Sequence, residues 1–215
     1  IVKKMIEDKM SHLSIDVFIY EPNSQIKEKL KEERVQLTDA RAMLLFMLYK
    51  LVANGEFVSE FSSEKICYFL QRFGAKEHFK LDYKPNFYGP YSGKVKYVIN
   101  YLNGSYIMGY SSMDKKPFET LDLVSDGFEK VESYILSKPE LVEIVNRTEL
   151  FLDGFYSEFA LELLSTVDYI SLNKDTFDLE IIKSELEGWS ERKRTLFSND
   201  RFLNISINHL KEHFG

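Results

Sequence analysis

A single cysteine, Cys67, stands in 215 residues, so no internal disulfide is possible and a reducing compartment such as the cytoplasm is expected. It sits among Ile66, Phe69 and Leu70, the setting of a buried structural thiol. No apolar run approaches the roughly 20 residues of a membrane span, and no basic-then-apolar leader opens the chain. Glycine-rich phosphate loops of either common type are missing. Histidine is scarce: His12, His78, His209 and His213 are the four, and only the last two share a helix face. They lack a cysteine or third histidine nearby, and Glu212 between them does not make the HExxH pattern, so no metal site is expected. Carboxylate pairs such as Glu158 with Glu162, or Glu185 with Glu187, arise on any charged helix face. Serine and cysteine nucleophiles have no evident base. From these absences no catalysis and no cofactor are expected of this chain.

Charge is present in quantity and unevenly placed. The net formal charge is −6. Residues 75–117 carry Lys76, Lys80, Lys84, Lys94, Lys96, Lys115 and Lys116 against Glu77, Asp82 and Asp114. Residues 118–188 hold 17 acidic side chains against five basic ones. A field of that sign disfavours a phosphate backbone and favours a basic partner, although solvated helix faces give the same count.

The periodicities predict a mainly α protein of the α+β class: a winged-helix-like module with a small β-ribbon, followed by a helical half. Residues 2–13 and "IDVFIYEP" (15–22) read as a helix and a strand that close an α/β domain, so residues 1–22 are expected to be its remnant and the chain a piece of something longer. Residues 23–37 read as a charged linker. Thr38 opens a helix with Met43, Leu44, Met47, Leu48 and Leu51 at helical spacing, ended by Gly55. A second helix is predicted from Ser62 or Ser63 to Gly74, an extended stretch through Pro85 and Pro90, and a third helix from Ser92 to Asn103. "YIMGYSS" and "FETLDLVS" form the ribbon around "MDKKP", which completes a module over 38–124. Over 125–215 the helices expected are 126–136, 139–152 with Pro139 in its first turn, 157–172 after Gly154, one capped by Thr176, and one from about 200 to 213.

Residues 86–110 concentrate six tyrosines and four glycines. Turns and half-buried rings account for most of them. The same stretch supports a DNA-binding reading, with Lys94, Lys96, Lys115 and Lys116 near phosphates and Tyr88, Tyr91 and Tyr97 stacking on unpaired bases. Against it, the third helix lacks arginine and has only Asn100 as a base-edge reader.

Four segments point to one family. "YGPYSGKVKYVINYLNGSYIMGY", "LFLDGFYSEFALELLSTVDYI", "GWSERKRTLF" and "ISINHLKEHF" resemble the C-terminal domain of DarG-type antitoxins, over about residues 38–215. Residues 1–22 resemble the closing helix and strand of the macrodomain (Appr-1''-p processing) that precedes it in that family. The resemblance implies a toxin-neutralising domain that binds a DarT-type ADP-ribosyltransferase acting on single-stranded DNA. It also implies that the preceding macrodomain removes ADP-ribose from DNA. The shared motif positions are Tyr88, Gly89, Pro90, Tyr91, Gly154, Phe155, Glu162, Leu163, Leu164, Trp189, Arg192 and Lys193, read as fold determinants. Tyr156 and Ser190 depart from the pattern, which has an acidic residue and an asparagine there. For partner contacts the sequence offers Asp175, Asp178, Glu180, Glu185 and Glu187, acidic groups in place of phosphates, with Trp189 either an apolar anchor or a core residue. A winged-helix DNA-binding module is the alternative, and the oligomeric state is left open.

Overall fold

Apolar residues at every third or fourth position dictate the first helix, and the computed structural model, which describes residues 34–110, 113 and 117–215, shows it as α1 (Asp39–Ala53). Residues 1–22, most of the linker, and Lys115 and Lys116 at the ribbon tip lie outside the described residues. The fold is mainly α with a small antiparallel ribbon, as expected, and a second ribbon that was not.

Helix α2 (Glu60–Leu70) begins earlier than expected and is buried at every residue. The cap is Ser59, not Ser62 or Ser63. Its Oγ accepts the Ser62 backbone N–H at 3.1 Å while the Ser62 hydroxyl accepts the Ser59 N–H at 2.9 Å, two orphan donors satisfied reciprocally. The helical path does not stop at Gly74. A π-helical segment, Gln71–Ala75, kinks at Gly74 (φ 115°) and leads into the short α3 (Lys76–Phe79). Only glycine adopts that φ without strain.

The stretch expected to be merely extended is a hairpin: β1 (Lys84–Asn86) pairs antiparallel with β2 (Gly89–Tyr91), with Phe87 and Tyr88 at its tip. Helix α4 (Val95–Leu102) follows, then β3 (Ile107–Met108) paired with β4 (Asp122–Leu123). Gly93 lies before α4 rather than inside its first turn. A 3-10 turn at Ser125–Gly127 leads into α5 (Phe128–Leu136), α6 (Pro139–Leu152) and α7 (Glu158–Lys174). Helix α8 (Leu179–Trp189) is capped by Asp178, whose carboxylate accepts the Ile181 N–H at 3.0 Å, not by Thr176. The short α9 (Glu191–Leu196) was not foreseen, and α10 (Asp200–Phe214) closes the fold.

Residues 35–215 form one unit around α2. Helices α1, α4, α6 and α7 and strand β2 all pack on it, while α1 also packs on α5 and α6, and α7 on α8 and α10. Helices on both sides of residue 124 therefore share a single hydrophobic core. Cys67 lies in that core, fully buried, and burial raises its thiol pKa well above the ordinary value.

Because Ser59 is 1% exposed and its hydroxyl holds one end of α2, Ser59→Ala is expected to cost about 1–2 kcal/mol, read from the denaturant midpoint. An unchanged midpoint would remove the cap from the account.

Candidate functional site

Burying α2 entirely places Glu60, Glu64 and Lys65 in the interior, and each must find a partner there. Lys65 donates from Nζ to the Pro90 carbonyl at 2.8 Å. The chain approaches that closely because position 89 is glycine: φ is 92°, and a Cβ there would stand 2.6 Å from the Thr166 hydroxyl and 3.2 Å from Lys65 Nζ. From the other side, Lys193 of α9 reaches in, fully buried. It donates to the Glu162 carboxylate at 2.6 Å and to Thr166 Oγ1 at 3.1 Å. Arg192 grips the same carboxylate with two N–H donors, one of them to Oε2 at 3.0 Å.

The motif residues Gly89, Pro90, Glu162, Arg192 and Lys193, remote in sequence, thus meet in one buried polar cluster. Tyr88 joins it under the Arg192 guanidinium at 4.9 Å from its ring centre. Leu163 and Leu164 are core residues beside Glu162, Phe155 stacks on His209, and Gly154 turns the chain between α6 and α7 with φ 78°.

Electrostatics follow from this burial. Desolvation would raise the Glu162 pKa, but the Arg192 hydrogen bonds and the Lys193 charge outweigh it and leave the carboxyl below its ordinary value. Lys193 is pushed down to about 8 by burial, against the pull of Glu162. Lys65 is pushed down to about 7, by burial and then by Lys193. Glu64 is pushed up to about 7 by burial, although the Ser92 and Gly93 amides donate to it at 3.3 and 3.2 Å.

In front of this cluster opens a pocket of about 330 Å³ lined by Glu60, Phe61, Glu64, Lys65, Tyr88 and Tyr91, with Asn86, Lys96, Met113 and Pro117 at its rim. Glu60 accepts hydroxyl bonds from Tyr110 at 2.9 Å and Tyr91 at 3.3 Å. A pocket carboxyl titrating near neutrality is the kind of group that general acid–base chemistry uses.

The acidic groups offered for partner contact lie elsewhere, along α8 and the turn before it. Asp175 ends α7 in a left-handed conformation (φ 50°), and Asp178 is committed to capping α8. Glu185 pairs with Lys174 at 2.7 Å, and Glu180 lies 3.9 Å from Lys183. Glu187 is exposed. Trp189 is half-buried: its indole N–H donates to the Asn86 carbonyl at 2.9 Å and its ring meets Tyr169 edge-on. Beside it Phe87, at the hairpin tip, is 52% exposed, with Arg192 stacked on it at 5.4 Å. Phe87 escaped sequence reasoning, because nothing showed that the residues before Gly89 form a tip. His209 and His213 also resolve: His209 bonds the Phe151 carbonyl at 2.7 Å and packs among Phe151, Phe155 and His213. Among the described residues no group of three or more His, Cys, Asp or Glu stands in metal-binding proximity, and no helix is long and apolar enough to cross a membrane.

Comparison with known proteins bears on what this arrangement serves. The chain is similar to a DNA ADP-ribosyl glycohydrolase of Thermus aquaticus, with 28% identity over 198 residues, 90% of this chain and 54% of that protein. DNA ADP-ribosyl glycohydrolases of Mycobacterium bovis and Mycobacterium tuberculosis are each 20% identical over 201 residues, 87% of this chain and 56% of theirs. No family model matches. The relatives support the family resemblance seen in the four segments. The chain spans about half the length of the curated relatives it matches.

They also overturn one expectation. A chain without catalysis was expected, yet the proteins matched along some 90% of its length are named for a hydrolytic activity and point to an enzyme. The expectation rested on missing motifs.

Glu162→Ala strands a fully buried Lys193 without its counter-charge, and a loss of about 3–5 kcal/mol is expected in chemical denaturation. A loss below about 1 kcal/mol would show the cluster to be peripheral. A second test uses pH. With its folded pKa raised from 4.5 to about 7, Glu64 contributes stability that is complete below 4.5 and lost as pH rises through 7. Glu64→Gln is expected to abolish that loss, worth about 3 kcal/mol, in unfolding curves taken on either side of the window. Identical pH profiles for the two proteins would refute the assignment.

Proposed function

We propose that this chain works within a DNA ADP-ribosyl glycohydrolase of the DarG type and that its residues 35–215 bind a DarT-type ADP-ribosyltransferase toxin. The observation that carries the reading is similarity along 87–90% of the chain to proteins named for that glycohydrolase activity. The contact surface in this reading runs along α8, from Asp175 and Asp178 past Glu180, Glu185 and Glu187 to Trp189, with the exposed Phe87 beside it.

A toxin that takes single-stranded DNA must offer a basic groove with room for bases. Carboxylates in place of phosphates and an exposed ring in place of a base compete for it. Trp189 contributes by holding the hairpin tip, through its bond to Asn86, rather than as a free anchor.

Direct DNA binding is the competing reading, favoured by the exposure of Tyr97 (57%) and Tyr101 (44%) on α4. Lys94 in front of that helix is shared with Asp82 at 3.5 Å, and Arg41 already stacks on Tyr101 at 3.6 Å. Tight DNA binding that falls steeply with salt would favour it.

Replacing Glu180, Glu185 and Glu187 together by lysine is expected to weaken capture of the toxin by about tenfold or more, measured by calorimetry with folding checked by circular dichroism. Undiminished capture would remove α8 from the interface.

A further inference from the structure

We propose that the pocket between α2, the β1–β2 hairpin and α4 receives a guanidinium group, the head of an arginine side chain. Glu60 and Glu64 stand one helical turn apart on α2 and both line it. Glu64 is 1% exposed, and among the described residues no lysine or arginine comes within ion-pair distance of it, although the Lys65 charge acts on it from farther off. Its oxygens hold only the two long amide bonds from Ser92 and Gly93. The basic residues on the lining are turned to other work. Lys65 is spent on the Pro90 carbonyl, and Lys96 holds its ammonium over Tyr97 at 5.5 Å.

A buried carboxyl held only by long amide bonds is costly, and a flat cation with forked N–H donors can reach Glu64 with one arm and Glu60, already holding the Tyr91 and Tyr110 hydroxyls, with the other. Phe61, Tyr88 and Tyr91 supply ring faces, on which guanidinium stacks more readily than ammonium. This fold already uses that contact elsewhere, as with Arg192 on Tyr88 and Arg41 on Tyr101. At about 330 Å³ the pocket suits one side-chain head and falls at the small end of ligand sites, roughly 300–1,000 Å³. A nucleobase is flat as well, but it brings ring acceptors against two carboxyls.

The group can come from a protein partner or from free arginine. The negative net charge favours a basic protein, and for that source alone the inference rests on the toxin-binding reading.

The test titrates the chain with N-acetyl-arginine methylamide, followed by NMR, beside the matching lysine compound, free arginine and deoxycytidine. Saturable binding of the blocked arginine is expected, tighter than that of lysine or deoxycytidine. It should weaken about tenfold or more in Glu64→Gln and in Met113→Trp, which fills the rim at a side chain 39% exposed. If Glu64→Gln fails to fold, Met113→Trp carries the comparison. No saturation, unchanged binding in Met113→Trp, or tighter binding of deoxycytidine overturns the proposal. Free arginine binding more tightly than the blocked compound assigns the pocket to a metabolite. Loss of toxin capture on reversing the α8 charges, with arginine binding intact, separates the fate of this pocket from that of the toxin interface.

Discussion

The Glu162 carboxylate, held by Arg192 and Lys193, is the contact on which the remainder of the structure depends. Helix α2 runs through the centre of the fold carrying Lys65, which is buried. Its solution is the Pro90 carbonyl, brought within reach because Gly89 allows the hairpin to lie directly on Thr166 and Lys65. Two buried ammonium groups then stand on either side of Gly89, and without a shared anion they would repel each other in a medium of low dielectric. Glu162 supplies that anion from α7. A second buried pair repeats the device farther along α2: Asp168 accepts Arg72 at 2.8 and 3.1 Å and the Tyr68 hydroxyl at 2.7 Å. Helix α7 is thereby fixed to α9 through Glu162, and to the end of α2 and the π-helical segment after it through Asp168, with Leu164 and Val167 buried between the two.

The cluster also sets the geometry of the outer surface. Arg192 and Lys193 sit in the first turn of α9, whose cap, Ser190, directly follows Trp189 at the end of α8. Anchoring α9 to Glu162 therefore fixes where α8 ends and where Trp189 meets Asn86. The hairpin is held from both sides, by Lys65 beneath Pro90 and by Trp189 and Arg192 beside Phe87. One buried carboxylate thus positions both the pocket wall and the acidic helix, although neither contains Glu162.

Much of this was legible in the sequence, and the exceptions have physical causes. Helix α6, with a one-sided apolar stripe, was read to its ends from its period and Pro139, and α1 nearly to its ends from Thr38 and Gly55, although its residues 42–48 are all buried. Helix α2 was misread at its start because a helix buried all round has no polar face to mark, and its serines looked equally good as caps. The hairpin was hidden by two prolines that signal extended chain but not pairing; Pro85 and Pro90 in fact face each other across it. The motif residues were read as fold determinants, but the reading did not include that Glu162 joins Arg192 to Lys193, a long-range pairing that no local pattern encodes. Catalytic absence was inferred from missing motifs, and it is the activity for which the relatives are named, not any local pattern, that points the other way.

In the proposed reading, α8 imitates a polyanion, and such a surface must keep its carboxylates in place yet release them to a partner. On α8 the ion pairs are peripheral: Lys174 with Glu185 and Lys183 with Glu180 and Asp200 all lie at half-exposed positions. Such pairs are worth about 0–1 kcal/mol each, so a partner's lysine or arginine can replace the internal one at little cost. The buried pairs beneath them are the opposite case, since removing either member leaves a charge stranded. Rigidity and exchangeability are thus divided between two layers of the same charge pattern. The inner layer holds the helix and hairpin tip still, and the outer layer leaves their side chains free to change partners.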